Sequence, residues 1–167
     1  MSDRAHRAEE QWTRERADLD AHVMALVGRL LEAVHLLDRH WFAPLAAQFE
    51  LQNGEFDVIA TLRRSGEPYA LTPKALHEGL MLSSGAMTSR LDRIERKGLI
   101  ERVPAPNDRR SVLVRLTPAG RALIDHVLPL HVANEQQALA SLNAQEQGQL
   151  NDLLTKLVAG LRNKPGA

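Results

Sequence analysis

A chain of 167 residues with 44% hydrophobic, 25% charged and only 4% aromatic residues has enough apolar content for one sizeable core, or for a small domain with helical extensions, and excludes a disordered or collagen-like protein. The absence of cysteine removes disulfides, thiolate nucleophiles and Cys-ligated zinc together. The 21 Lys and Arg balance the 21 Asp and Glu. No apolar run of about 18 residues and no charged-then-apolar leader is present, so a cytoplasmic protein with no membrane partner is expected.

In chain order, "DLDAHVMALVGRLLEAVHLLDRHWFAPLAAQFELQ" repeats apolar residues at helical spacing (Val23, Leu26, Val27, Leu30, Leu31, Val34, Leu37) and predicts a long amphipathic helix that Pro44 bends or interrupts. After the Asn53-Gly54 turn, "EFDVIATLRR" predicts a short helix closed by a loop at Ser65, Gly66 and Pro68. "LTPKALHEGL" predicts a second, with Thr72 as N-cap and Pro73 in the first helical position. A third begins at Ser83 or Ser84, has "GAMTSRLDRIERK" as its body and ends at Gly98. The period then changes: "LIERV" and "SVLVRL" are β-prone runs joined by "PAPNDRR", which predicts a hairpin. Thr117 and Pro118 open a long helix to about residue 139. Asn143 and Glu146, at capping-box spacing, open a last one to about residue 161.

Three short helices followed by a hairpin form the layout of a winged helix-turn-helix, whose third helix enters the major groove of DNA. The expected fold is therefore mainly α with a small β-hairpin wing. Long amphipathic helices at both ends bury their stripes most simply against each other and against a second copy of the chain, which predicts a homodimer.

The cations are concentrated as attraction to a polyanion requires, although on charge alone a solvated, salt-bridged face is the stronger reading. Residues 88–115 carry eight Lys or Arg against four Asp or Glu, whereas residues 1–20 carry four against six. At about 100° per residue, Met87, Leu91 and Ile94 mark the core side of the third helix, with Ser89 and Arg96 almost opposite and Gly85, Asp92 and Arg93 at about 125° to 155°. Small residues at its start (Ser84, Gly85, Thr88, Ser89) would let the backbone approach base edges, and Arg93 and Arg96 would fork to guanine or clamp phosphate. Arg90 lies only about 65° from the apolar stripe and leans inward. At a core edge its guanidinium needs a carboxylate or an anionic ligand.

The stretches "LTPKALHEGL" and "SSGAMTSRLDRIERKGLIERVPAPNDRRSVLVRLTPAGR" resemble the MarR family of bacterial winged-helix repressors. The resemblance implies a wing at Asp108 to Arg110, in which Arg109 or Arg110 reaches the minor groove and Asp108 holds the wing in shape. "QWTRERADLD", "EFDVIATLRRSGEPY" and "MTSRLDRIERKGLIER" are similar to the urate-responsive branch of that family, which has an extra N-terminal helix carrying a Trp. That likeness implies a ligand site of Trp12, Asp57, Arg90 and Arg102, with Trp12 as a stacking wall, the two Arg on an anionic purine, and Asp57 accepting a purine N–H or bracing an Arg. Ala17 stands where the branch often has Pro. The implied organisation is an extra helix and a dimerisation helix in 1–52, a DNA-binding unit in 53–117 and dimerisation helices in 118–167.

The expected function is a transcriptional regulator, acting as a repressor, that binds a pseudo-palindromic double-stranded operator as a homodimer. A small anionic aromatic ligand such as urate would release it. Salicylate-like phenolic acids and indole carboxylates remain open as ligands, and a helical interaction protein without DNA remains open as a class. An enzyme is not expected: no G-x-S-x-G, Walker loop or H-E-x-x-H occurs, and the His residues are scattered without metal-ligand spacing. No cofactor and no metal are expected.

Overall fold

The computed structural model describes residues 3–52, 54–80, 87–106 and 108–163, without the side chains of 108–110. Asp3 opens helix α1 (Arg4–Glu15) by accepting from the His6 N–H at 2.6 Å, and Asp20 opens α2 (Ala21–Leu37) by accepting from the Val23 N–H at 3.2 Å. The two helices run antiparallel. Arg29 Nε donates to Asp3 at 2.9 Å, His22 Nδ1 meets Glu9 at 3.2 Å, and Gly28 faces Ala5 so that the backbones approach closely.

The expected interruption at Pro44 takes the form of a π turn (Asp38–Phe42), followed by α3 (Ala43–Gln48). Pro44 has no N–H to continue the regular ladder, and the preceding Ala43 N–H reaches back five residues to the Asp38 carbonyl.

The central unit follows the expected order. Gly54, at φ 75°, turns the chain into α4 (Glu55–Arg64). Strand β1 (Ala70–Leu71) precedes α5 (Pro73–Gly79), capped by Thr72 Oγ1, which accepts from the Ala75 N–H at 3.1 Å. Helix α6 (Met87–Arg96) leads through Gly98, at φ 71°, into β2 (Ile100–Ala105) and β3 (Asp108–Leu116). The strands pair antiparallel, with Ile100 opposite Leu116, and extend further into "PAPNDRR" than expected. The sheet has three strands rather than the expected two, in the order β1-β3-β2, with Ala70 opposite Arg115. Two residues are too few to show a period-2 pattern, so β1 leaves no mark in the sequence.

Helix α7 (Pro118–Ala138) starts at Thr117, whose hydroxyl accepts from the Gly120 N–H at 3.0 Å and donates to the Gly98 carbonyl at 2.6 Å. Helix α8 (Ala144–Arg162) has the expected capping box between Asn143 and Glu146, at 3.0 and 2.8 Å. Val58, Ile59 and Leu62 of α4, Leu76 of α5, Leu91 and Ile94 of α6, Ile100, Val114 and Leu116 of the sheet and Ile124 of α7 form one core. Each such side chain contributes about 1.5 to 3 kcal/mol of burial. Helix α8, in contrast, is exposed along its whole length. The terminal helices do not cover each other within one chain: Leu31 on α2 is 65% exposed, and Leu153 and Leu161 on α8 are 67% and 64% exposed.

Candidate nucleic-acid interface and adjoining cavity

Helix α6 presents the polarity expected of a reading helix. Leu91 and Ile94 are buried, whereas Thr88, Ser89, Asp92 and Arg96 face solvent. Arg96 Nε donates to the main-chain oxygen of Asp92 at 3.3 Å. Ser84 and Gly85, and the side chains of Asp108, Arg109 and Arg110, lie outside the described residues.

Arg93 is placed differently from its helical angle. Its Nε donates to Glu55 Oε1 at 3.0 Å, and Lys97 Nζ donates to Glu55 Oε2 at 2.5 Å and to the Glu50 carbonyl at 2.6 Å. Glu55 is 0% exposed. Burial alone would raise its carboxyl, but the Gln52 N–H, Lys97 and Arg93 outweigh that and hold it below the ordinary carboxylate range. In the sequence Glu55 stands only as the first residue of "EFDVIATLRR". Its partners lie 38 and 42 residues away, a separation that periodicity does not register.

The other cations of the basic segment are largely committed as well. Arg102 Nη2 donates to Asp92 at 2.6 Å, and Nη1 donates to Glu95. Arg115 Nε donates to Glu101 at 3.0 Å. Arg102 therefore brackets the outer side of α6.

Arg90 does lean inward. Its Nε is buried without a hydrogen-bond partner, and its guanidinium lies against Gly54 so closely that a Cβ there would stand 2.5 Å from Cζ. Only glycine serves at that position, for this contact and for its positive φ. On the far side of Gly54 opens a cavity of about 530 Å³, lined by Phe42, Leu45, Leu51, Phe56, Asp57, Ala60, Arg64, Val127 and His131, with Asp38 and Glu135 among its polar members. His131 lies 4.3 Å from the Phe56 ring centre and 5.4 Å from that of Phe42, and its Nε2 is 3.2 Å from Glu135. Burial raises the Asp57 carboxyl above its ordinary value, against the opposing pull of Arg90, His131 and Arg64.

Of the four residues of the implied ligand site, Asp57 lines this cavity, and Arg90 stands behind its Gly54 wall without lining it. Trp12, 42% exposed on α1, and Arg102, paired on the outer side of α6, are not among its lining. His131, Phe42, Phe56 and Arg64 are cavity residues that sequence reasoning missed. They come from three elements, the π turn, α4 and α7, and no spacing in the sequence relates those elements.

The raised Asp57 carboxyl has a consequence for stability. The folded chain holds that proton more tightly than the unfolded one, so the favourable contribution is complete below the unfolded value of about 4 and is lost as pH rises through the folded value. Asp57→Asn is expected to be more stable than wild type at pH 7, with the difference narrowing toward pH 4, in urea unfolding at both pH values. A wild type more stable than Asp57→Asn at pH 7 would mean that the carboxylate is favourably paired.

Among the described residues, no group of three His, Cys, Asp or Glu is arranged to hold a metal, and no helix is long and apolar enough to cross a membrane. The MarR family model matches residues 51–112, which include α4 to α6 and most of the wing. The chain is 40% identical over 154 residues to the HTH-type transcriptional regulator PecS of Dickeya dadantii (strain 3937), covering 92% of each chain. It is 35% identical over 147 residues to the multiple antibiotic resistance protein MarR of Salmonella typhimurium, covering 85% of this chain and 96% of that one. The crystal structure of a mutant MarR from E. coli complexed with operator DNA superposes with a TM-score of 0.68 at 31% identity, covering 78% of this chain and 92% of that one. With the helix order, the three-stranded wing sheet and relatives of this identity and coverage all in agreement, the chain belongs to the MarR family of winged-helix DNA-binding transcriptional regulators and is not an enzyme.

Proposed function

We propose that this protein is a cytoplasmic repressor that binds a pseudo-palindromic operator as a homodimer and is released by a small anionic aromatic ligand of the urate type. One observation carries the ligand reading: the buried, unpartnered Arg90 Nε belongs to the reading helix and backs directly onto the wall of an aromatic cavity that holds Asp57. A ligand that engages Arg90 necessarily acts on α6. The cavity lies in the size range of small-molecule sites, and its lining mixes carboxylates with Arg64 and the ring of His131. A purine anion offers several N–H donors and carbonyl acceptors around one flat ring system, against the single O–H or N–H donor of a phenolic or indole carboxylate, which suits that mixture. Asp57 and Arg90 carry the proposed ligand contacts. Thr88, Ser89 and Arg96 of α6, with Arg109 and Arg110 of the wing, carry the proposed DNA contacts.

Dimerisation is supported by the stripes left uncovered on α2 and α8. Leu150, Leu153, Leu154, Leu157 and Leu161 recur at helical spacing on a helix with no cover of its own. The double substitution Leu153→Glu with Leu157→Glu is expected to give a monomer in sedimentation velocity. It should weaken operator binding at least about tenfold, the equivalent of about 1.4 kcal/mol, because two half-sites are no longer bound together. A double variant that stays dimeric with unchanged operator affinity would remove α8 from the interface.

A further inference from the structure

The eight cations between Arg90 and Arg115 suggest a strongly positive DNA-binding face, yet those whose side chains are described are mostly turned to other uses. Arg90 backs the cavity, Arg102 is held by Asp92 and Glu95, and Arg115 is held by Glu101. Arg93 and Lys97 both end on Glu55, a carboxylate that lies outside the segment and is wholly buried. Their side chains are 31% exposed, so they are neither enclosed nor out of reach of solvent. What keeps Arg93 against the protein body is the charge of Glu55, and Lys97 is held by that charge together with the Glu50 carbonyl.

We infer that Glu55 is a specificity-determining residue for DNA binding: it withholds Arg93 and Lys97 from the phosphate backbone, so that base-edge and shape contacts decide where the reading helix rests. The inference deepens the DNA-binding reading and rests on it. Non-specific affinity comes almost entirely from cations that neutralise phosphates, and each one adds about 0.9 to the slope of log affinity against log salt. Two long, partly exposed cations, one on the reading helix and one just past its end, would raise affinity for every sequence alike. A buried carboxylate holding both at 3.0 and 2.5 Å removes that indiscriminate contribution while keeping the helix anchored to α4.

The test is a salt titration of operator and scrambled duplexes with the full chain. Glu55→Gln keeps the side-chain volume and removes the charge. The expected result is tighter binding to the scrambled duplex, a salt slope steeper by about 0.9 for each cation that reaches a phosphate, and an operator-to-scrambled ratio lowered about tenfold. Glu55→Asp, which keeps a carboxylate, should return the slope to the wild-type value, as should adding Arg93→Gln and Lys97→Gln to the Glu55→Gln chain. A purely structural role for Glu55 would instead weaken both duplexes without a steeper slope, and that result overturns the inference. Arg93→Gln in the wild-type background, where Lys97 still neutralises Glu55, provides a reading that does not depend on how well Glu55→Gln folds. An unchanged slope supports the withholding role, whereas a slope shallower by about 0.9 per protomer means that Arg93 already sits on phosphate and overturns it. Wild type that binds neither duplex would instead count against the DNA-binding reading.

Discussion

Gly120→Ala is expected to destabilise the fold by about 3 kcal/mol or more, the upper range for overpacking a tight contact. A Cβ at Gly120 would lie 1.9 Å from the Leu99 carbonyl oxygen and 2.8 Å from its carbon, and both are backbone atoms that no rotamer change can move aside. The first turn of α7 is pinned at this point from two directions. Thr117 Oγ1 caps the Gly120 N–H and donates to the Gly98 carbonyl, and the Thr117 N–H donates to Leu99 O at 3.1 Å. To admit a methyl group, α7 must separate from the start of β2, which exposes the Ile124 and Ile100 side chains packed beneath. A thermal melt should show a loss of about 6 to 12 °C for a chain of this length. A midpoint within about 2 °C of wild type would mean that this approach is looser than the structure gives it.

Arg90→Ala is expected to abolish ligand-induced release from operator while leaving ligand-free operator binding within a few-fold of wild type. Arg90 makes no hydrogen bond through Nε and points away from the groove side of α6, so DNA loses nothing directly when it is removed. The cavity loses the cation behind Gly54, and Asp57 loses the first of the charges that oppose the rise of its carboxyl. A charge-assisted hydrogen bond to a ligand contributes about 1.5 to 3 kcal/mol, so ligand affinity should fall about 10- to 100-fold by calorimetry. A ligand shifts a two-state equilibrium only by its preference for one state, so a variant that binds the ligand without sensing it at α6 would also fail to release DNA. Full ligand response in Arg90→Ala would place the coupling elsewhere in the cavity wall.

These expectations divide along the same line as legibility in the sequence. Thr72 with Pro73, Thr117 with Pro118, and Asn143 with Glu146 mark helix starts by chemistry contained within four residues, and all three caps form. The change of period at "LIERV" marks the wing for the same local reason. Arg90 was legible as an inward-leaning cation because its angle to the apolar stripe is a property of one helix. Arg93 was not, because its angle points outward while a carboxylate 38 residues earlier takes its Nε. Arg102 reads from the sequence as a ligand cation by resemblance or as the partner of a carboxylate across the strand, and the packed structure gives it Asp92 and Glu95 of α6. The cavity is the least legible feature. Phe42, Phe56, Arg64 and His131 meet through tertiary packing of the π turn, α4 and α7, and the meeting point depends on the π turn before Pro44.

The basic segment also shows why a count of cations is a weak guide to a DNA-binding face. Charge on the chain becomes charge toward a partner only when no nearer carboxylate takes it. In α6 the acids Asp92 and Glu95, and Glu55 from α4, take most of it. Arg96, in contrast, is exposed and donates to the main-chain oxygen of Asp92.

The central claim is that a ligand in the Asp57 cavity controls the reading helix through Arg90. Its most direct test follows the anisotropy of a labelled duplex from immediately upstream of this protein's own gene, at fixed salt, while urate, xanthine or salicylate is added to the wild-type complex. The account predicts sequence-selective binding and release by urate at concentrations where salicylate has little effect. Selective binding that none of the three ligands reverses would contradict it.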